Sequence, residues 1–598
     1  MPADASQPTD SPNTATHLQL GESNRAAGPF AKRVLGSTLR RAFRAASVFA
    51  LFFAVVVLLQ WRAGAFTAEL SGYSDEAAHY LSGLLVRDYI AAGVPAGPMT
   101  FAQRFYGQYP YMAIGHWPPM FYAVVGVWML LFSPSLVSVM LLMALITALI
   151  ANSIYTVLRA DFGEISALTT ALLLILLPLV QRYSALVMLD NLLALLSFWA
   201  ILHFGRFLET SHWLYAVKFG VLSSLAILTK GNAVYLALVP PIAVLVTRRF
   251  DLLRRVAFWL PALIVLLVSA PWHLLTMHLM LPTFVYKGGI QFTENALRIY
   301  GAVLWNSVGP VVLVFALIGF YVRIVRPATG HVESRWAAAA ALVLSMFIFY
   351  STVPAGIEAR YLIGAMPPLF MFFVAGADTI SRHLPVTFVK LETRRELLIL
   401  LTTVIFITTS FKVPRKTSYG FREAVRSLVS RPDFKTSLSL VSSDNDLGEG
   451  LFISEVAMAG RNNTQVVLRA SKVLADNDWN NTYYRPRYSS PQALMTCLEE
   501  SRIQFLVLDM SPRPERFQHN EQLLQIVNNR AYQWKLLGTF PSDSGARGVR
   551  VYSSPESSAS SRLTGGASAN VLANMNIRLD HWPIVQNLNC KADPSAVR

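Results

Sequence analysis

Charge is scarce in this chain. Asp, Glu, Lys and Arg make up 14% of its 598 residues while 54% are hydrophobic, against about 25% charged residues in ordinary soluble domains. With a mean hydropathy of +0.42, the chain is not soluble throughout. Cysteine is scarcer still. Cys497 and Cys590 are too few for a disulfide framework or a thiolate metal site, and nothing in the sequence argues for a bridge between them. The start of the chain also has no short apolar core with a small-residue cleavage site, so a cleaved leader is not expected there.

What charge there is lies unevenly. Residues 45–411 are nearly continuous apolar blocks with short polar breaks, whereas 412–598 reads as ordinary soluble protein. The formal net charge of +16 would suit nucleic acid. The basic residues instead sit in small groups beside apolar blocks, which is how membrane proteins are oriented, so no nucleic-acid partner is expected. Residues 1–40 are expected to be a disordered, basic cytoplasmic tail, rich in Ser, Thr, Asn and Pro over 1–28. Lys32, Arg33, Arg40, Arg41 and Arg44 then precede the first apolar block and hold the N-terminus inside.

A bilayer core takes about 20 apolar residues per helix. Blocks of that kind fall at 45–62, 135–158, 164–187, 190–207, 213–229, 231–247, 256–277, 301–322, 336–353, 361–378 and 395–411. A further block, 117–132, decides the parity. If it crosses, the loop RRFDLLRR at 248–255, Arg323, Arg326, Arg335, Arg382, Lys390, Arg394 and Arg395 all face outside. If it lies in the outer interface, all of them face the cytoplasm, as the distribution of Lys and Arg requires. The fold class expected is therefore a polytopic α-helical membrane protein of about eleven transmembrane helices plus interfacial helices. Its membrane part is 41–411, with a large first outer loop at 63–134. A soluble α/β domain at 412–555 is expected on the outer, periplasmic side, followed by a linker and poorly ordered tail at 556–598.

The outer breaks carry most of the chemistry. SGYSDEAAHYLSGLLVRDYIAAG at 71–93 has helical periodicity from Asp75 to about Ala92, with Ser74 placed to cap it and Asp75 and Glu76 at its positive end. The pair is either a helix-terminus feature or carboxylates poised for base catalysis or cation binding. GHWPPMFY at 115–122 sets His116 and Trp117 before a proline turn. Asp190, in VMLDNLL, stands between two apolar blocks, where a carboxylate needs a partner or a role. Lys230, in LTKGNAV, is the charge of its break and either snorkels or binds a phosphate. SAPWHLL, VYKGG and EARYLIGAMPP add His273, Lys287, Glu358, Arg360 and Tyr361. Carboxylates beside cations at a lipid–water boundary suit a phosphate-bearing lipid and an acceptor that must lose a proton.

In this order, over residues 40–411, these blocks resemble the GT-C glycosyltransferase superfamily, in the branch of protein O-mannosyltransferases and lipid A aminoarabinose transferases. That branch carries an Asp-Glu pair early in its first periplasmic loop, matched by Asp75 and Glu76, and a Lys-Pro or His-Pro-Pro turn, matched loosely by HWPPMFY. An Asp follows its third span, a T-K-G its fifth, a P-W closes its seventh, and a late outer break leads into a Tyr. Asp190, LTKG, APWHLL and EARYLIG stand in those places. The resemblance implies an inverting transfer at the outer face of a bacterial inner membrane. The donor would be a polyprenyl-phosphate hexose or pentose, and the acceptor a hydroxyl on a lipid, glycan or protein. By analogy Asp75, with Glu76 beside it, is the catalytic carboxylate, and His116, Lys230, Arg360, Tyr361, Asp190 and Lys287 bind the donor. Where aminoarabinose transferases have Glu-Lys before the proline, this chain has His116 and Trp117, which shifts the phosphate contact toward Lys230 and Arg360. Some members use a divalent cation, and Glu76, His116 and His273 are the side chains from which such a site would be built.

From about residue 415 the pattern alternates between strands near 437–442, 465–468, 504–509, 535–540 and 549–553 and helices near 421–430, 491–502 and 520–530. A three-layer fold on a mostly parallel sheet is expected. It contains no glycine-rich phosphate loop or hydrolase elbow, and so reads as an accessory or acceptor-recognition domain. The rival class is a transporter or lipid flippase, which would show internal repeats and polar groups at mid-membrane. A membrane-anchored sensor would not need acidic residues in several separate breaks.

Overall fold

The computed structural model describes residues 29–555 except 113–114, 281–285, 386–388, 446, 461–464, 478–483, 512–515, 544 and 546–547. The tail expected at 556–598 and residues 1–28 lie outside the described residues. The described residues form two compact units, divided between Ala50 and Leu51. The expected tail at 1–40 needs correction. Helix α1 runs Pro29–Arg62, so 29–40 are helical. Proline suits a first helical position, where its missing N–H is no loss, and Leu, Arg and Ala favour the turns that follow.

Among the described residues, five helical stretches are long and apolar enough to cross a bilayer: Ala42–Arg62, Leu136–Leu176, Asp190–Thr210, Ser334–Thr352 and Ala359–His383. Two more do so as bent pairs, Val256–Val268 with Ala270–His278 at 43° and Ile290–Val308 with Pro310–Val325 at 110°. Shorter apolar helices are Met120–Leu131, Trp213–Thr229 and Gly231–Thr247.

The first outer segment holds α2 (Ser74–Ala91), α3 (Pro98–Gln108) and α4 (Met120–Leu131). Ser74 does not cap α2. It is the first helical residue, and Tyr73 at the N-cap makes no side-chain capping bond. Helix α4 has 12 residues and so spans about 18 Å, well short of a bilayer core of about 30 Å. It packs against α2 instead.

Helix α5 (Leu136–Leu176) has 41 residues and as one rod would be about 62 Å long. It is broken at Gly163, whose φ of 75° and ψ of 173° are not helical. The break separates the blocks expected at 135–158 and 164–187, and α6 (Pro178–Ser184) continues the second. Then come α7 (Asp190–Thr210), α8 (Trp213–Thr229), a 3-10 turn at Gly231–Leu238, α9 (Val239–Thr247), α10 (Val256–Val268) and α11 (Ala270–Met280). The block expected at 301–322 is divided, because α12 (Ile290–Val308) meets α13 (Pro310–Phe320) at a sharp bend. Pro310 opens α13 without an N–H to continue the earlier ladder.

Helices α14 (Ser334–Thr352), α15 (Met366–His383) and α16 (Leu391–Thr409) complete the helical part. Helices α13 and α15 touch backbone to backbone. A Cβ at Gly319 would stand 1.9 Å from the Phe372 carbonyl oxygen, and one at Gly376 equally close to that of Phe315. Glycine lets these helices approach where no other residue fits.

The C-terminal layer holds α17 (Phe421–Val429), β1 (Leu438–Ser442), α18 (Gly448–Ala459), β2 (Val466–Arg469), α19 (Ala470–Val473), β3 (Ala475–Asn477) and β4 (Tyr484–Pro486). After these come α20 (Pro491–Glu500), β5 (Phe505–Asp509), α21 (Gln518–Asn528), β6 (Lys535–Phe540) and β7 (Val549–Ser553). The main sheet is ordered β2-β1-β5-β7-β6. Strands β2, β1 and β5 are parallel, but β7 and β6 join antiparallel, so the sheet is mixed rather than mostly parallel. Leu440, Leu468, Leu506 and Leu508 pack with Leu494, Leu498, Leu523 and Ile526 in its core.

Candidate active site at the head of an amphiphilic cavity

Four polar breaks converge on one cavity of about 1270 Å³. Asp75 and His79 come from α2, one turn apart and so on one helix face. The turn at 115–119 brings His116 and Trp117. Lys230 stands where α8 gives way to the 3-10 turn, and Glu358, Arg360 and Tyr361 come from the break and 3-10 turn between α14 and α15. Away from these groups the wall turns apolar, through Phe219, Val234, Leu236, Phe258, Val265 and Leu266 of the helices between α8 and α10. One end is thus charged and aromatic, and the other is hydrocarbon.

At the polar end the charges are paired. Arg360 donates to the Asp75 carboxylate through Nη1 at 3.3 Å and Nη2 at 3.4 Å, and its guanidinium lies 4.3 Å from the Tyr73 ring centre. Tyr73 donates its hydroxyl to Glu358 at 2.8 Å. Lys230 donates to Asp190 at 2.8 Å, and its ammonium sits 4.5 Å from the centre of the Tyr361 ring. Tyr361 stacks on Tyr350 at 4.7 Å. Lys230 is 9% exposed with its ammonium on a carboxylate, so it does not snorkel toward water. Arg360 Nε and Asp190 Oδ2 are buried without a hydrogen-bond partner. His79 shares a 2.8 Å hydrogen bond with the Tyr122 hydroxyl and lies 4.6 Å from the Trp117 ring.

Burial pushes the Asp75 carboxyl above the ordinary carboxylate range, with Arg360 opposing it. Burial also lowers the His116 imidazole to about 4, so it is neutral near pH 7. His79 is held well below the usual imidazole range, first by burial and then by the neighbouring cations. The polar end therefore offers a basic carboxylate, a lysine and an arginine, and neutral rings.

The expected site residues do not all arrive. Asp75, His116, Lys230, Arg360, Tyr361 and His273 line the cavity, and Asp190 sits behind Lys230 as its partner. Lys287 does not line it and is exposed on the segment before α12. Glu76 points away. Fully buried, it accepts from Lys416 at 2.8 Å and from the amides of Gly72 at 3.0 Å and Val187 at 3.1 Å. Glu76, His116 and His273 therefore do not form a metal site, and among the described residues no group of three His, Cys, Asp or Glu does. Tyr73, His79 and Lys416 were missed. The i, i+4 spacing of His79 from Asp75 is the signal that would have found it, while Lys416 gives none locally.

The family of dolichyl-phosphate-mannose-protein mannosyltransferases matches residues 116–274. No curated protein matches the chain by sequence. Among solved structures, ArnT from Cupriavidus metallidurans in the apo state aligns at 15% identity and a TM-score of 0.52, over 85% of this chain and 98% of that one. The same protein bound to undecaprenyl phosphate aligns at 15% identity and 0.50, over 84% and 97%. The oligosaccharyltransferase AglB from Archaeoglobus fulgidus, in complex with an inhibitory peptide and a dolichol-phosphate, aligns at 15% and 0.48, over 78% and 70%. In fold over most of its length, and in sequence over residues 116–274, the chain is similar to GT-C glycosyltransferases of the protein O-mannosyltransferase and aminoarabinose transferase branch.

Proposed function

We propose that this chain is an inverting membrane glycosyltransferase. It moves a hexose or pentose from a polyprenyl-phosphate donor to a hydroxyl of a lipid, glycan or protein at the outer face of a bacterial inner membrane. One observation carries this most: a cavity whose charged end joins a buried carboxylate to two buried cations and whose other end is hydrocarbon. A lipid phosphate has that shape and polarity, and the fold's relative ArnT has been solved with undecaprenyl phosphate bound.

The membrane arrangement follows the distribution of basic residues. Helix α1, the two halves of α5, α7, α8, the 231–247 helix, α10 with α11, α12 with α13, α14, α15 and α16 make about eleven crossings. Helices α2, α3 and α4 lie along the outer surface. The N-terminus is then cytoplasmic and the 412–555 layer external.

In the reaction, the donor phosphate enters between Lys230 and Arg360, with its isoprenoid along the apolar wall. Arg360 has five N–H donors and a spare Nε, so it can hold the phosphate while still touching Asp75. Asp75 takes the proton of the acceptor hydroxyl, and that oxygen forms a bond to the anomeric carbon from the face opposite the phosphate. The carbon–oxygen bond to the phosphate breaks, and the electron pair leaves on polyprenyl phosphate, where the two cations stabilise it. Glu358 fixes Tyr73, and Tyr73 supports the guanidinium of Arg360.

The test is to incubate the purified protein with labelled polyprenyl-phosphate sugars and membrane extract. Label should pass from donor to acceptor with the wild type and not with Asp75→Asn. Donor that is bound but moved across the bilayer intact would make this a flippase and overturn the proposal.

A further inference from the structure

The first turn of α2, which carries Asp75, makes no side-chain N-cap bond. Glu76, the third helical residue, instead accepts from the amide of Gly72, the residue before the N-cap. Its other oxygen accepts at once from the Val187 amide and the Lys416 ammonium. Val187 lies three residues before Asp190, which holds Lys230. Lys416 lies on the strap that leads from α16 into the C-terminal layer. One carboxylate therefore ties together the segment carrying Asp75, the segment carrying the partner of Lys230, and the C-terminal layer.

The strap is fastened along its length. The Lys416 amide donates to the Ala63 carbonyl at 2.9 Å, and the Ser71 hydroxyl to the Thr417 carbonyl at 2.6 Å. The amides of Tyr419 and Arg422 donate to the buried Glu69 carboxylate at 2.8 and 2.9 Å. Arg422 in turn pairs with Glu455 of α18 at 2.8 Å. The strap thus runs beside residues 63–72, the approach to α2, and ends in the body of the C-terminal layer. Its lysine is 4% exposed and the glutamate it meets 0%. A pair so fully removed from water is held in one geometry and transmits displacement rather than absorbing it.

We propose that Glu76 and Lys416 are positioning residues, through which the C-terminal layer sets Asp75 in register with the Lys230–Arg360 clamp. This rests on Asp75 being the base. It gives the acidic residue beside Asp75 a role that needs no contact with substrate, consistent with its absence from the cavity wall. It also gives the C-terminal layer a part in the chemical step in addition to any recognition of the acceptor.

The experiment uses the full-length enzyme and measures labelled-donor affinity together with kcat per donor-binding site. Lys416→Met strands a buried carboxylate, so the neutral pair Glu76→Gln with Lys416→Met is made beside it, and Lys416→Arg retains the charge. The neutral pair should bind donor within about twofold of wild type, since Lys230 and Arg360 are untouched. Its kcat per site should fall about a hundredfold, the scale of a misplaced reacting group. Lys416→Arg should recover most of that loss. A neutral pair with unchanged kcat per donor-binding site would overturn the proposal. A pair that binds no donor would do the same, because the contact would then serve folding alone. Asp75→Asn is assayed in parallel. If it transfers sugar normally, the catalytic assignment fails whatever Lys416 shows.

Discussion

Lys230 is the residue at which a structural and a ligand-binding role are most readily separated. Its ammonium donates to Asp190 at 2.8 Å with the side chains 11% and 2% exposed, so Lys230→Met leaves a buried carboxylate uncompensated. Breaking such a pair from one side costs about 3–5 kcal/mol of stability. Lys230→Met alone should therefore unfold at lower temperature in detergent, and its binding loss could come from either cause. The double variant Lys230→Met with Asp190→Asn removes both charges at nearly constant volume, and should melt close to wild type. Donor binding should not return with it. A charge-assisted contact to the phosphate is worth about 1.5–3 kcal/mol, which is about a ten- to hundredfold loss of affinity. The assay is equilibrium binding of a labelled polyprenyl phosphate, with thermal unfolding on the same samples. A double variant that binds donor like wild type would show that Lys230 serves only to neutralise Asp190, and the clamp would reduce to Arg360.

Other outcomes follow from the same geometry. Asp75→Asn should bind donor normally and transfer it about two to four orders of magnitude more slowly, read by single-turnover transfer of labelled sugar. Transfer should fall with decreasing pH as Asp75 is protonated, along a limb that lies above the ordinary carboxylate range because burial raises its pKa. Arg360→Met removes the charge that opposes this shift, so kcat–pH profiles should show the limb moving to higher pH in the variant; a downward move would refute the electrostatics. His116 titrates at about 4, so His116→Gln should leave the shape of the profile near neutral pH unaltered. Single cysteines placed within 248–255 should be shielded from an impermeant thiol reagent in intact cells, and one at Lys287 should react. Labelling of the RRFDLLRR loop from outside would reverse the assigned orientation.

Much of this protein is determined by short-range pattern alone. Apolar blocks, their lengths and the charges between them place nearly every helix of the membrane part, and period-two runs place β1, β2, β5, β6 and β7 within about a residue. Asp75, His116, Lys230, Arg360 and Tyr361 stood out because each is a polar group in a break between apolar segments, and the fold brings all five to one cavity. What tertiary structure decided is who meets whom. Arg360 meets Asp75 across 285 positions, and Lys416 meets Glu76 across 340. Nothing near Glu76 distinguishes it from Asp75: both are acidic, adjacent and at the start of one helix. A helix turns by about 100° per residue, so the two side chains leave α2 in different directions. One enters the cavity and the other enters the joint with the strap. The same limit let Lys287 look equivalent to Lys230 and left the antiparallel half of the sheet unforeseen. Burial and periodicity are set by neighbours within a turn or two of chain. Charge pairing and strand order are set by packing between segments far apart, which local pattern does not contain.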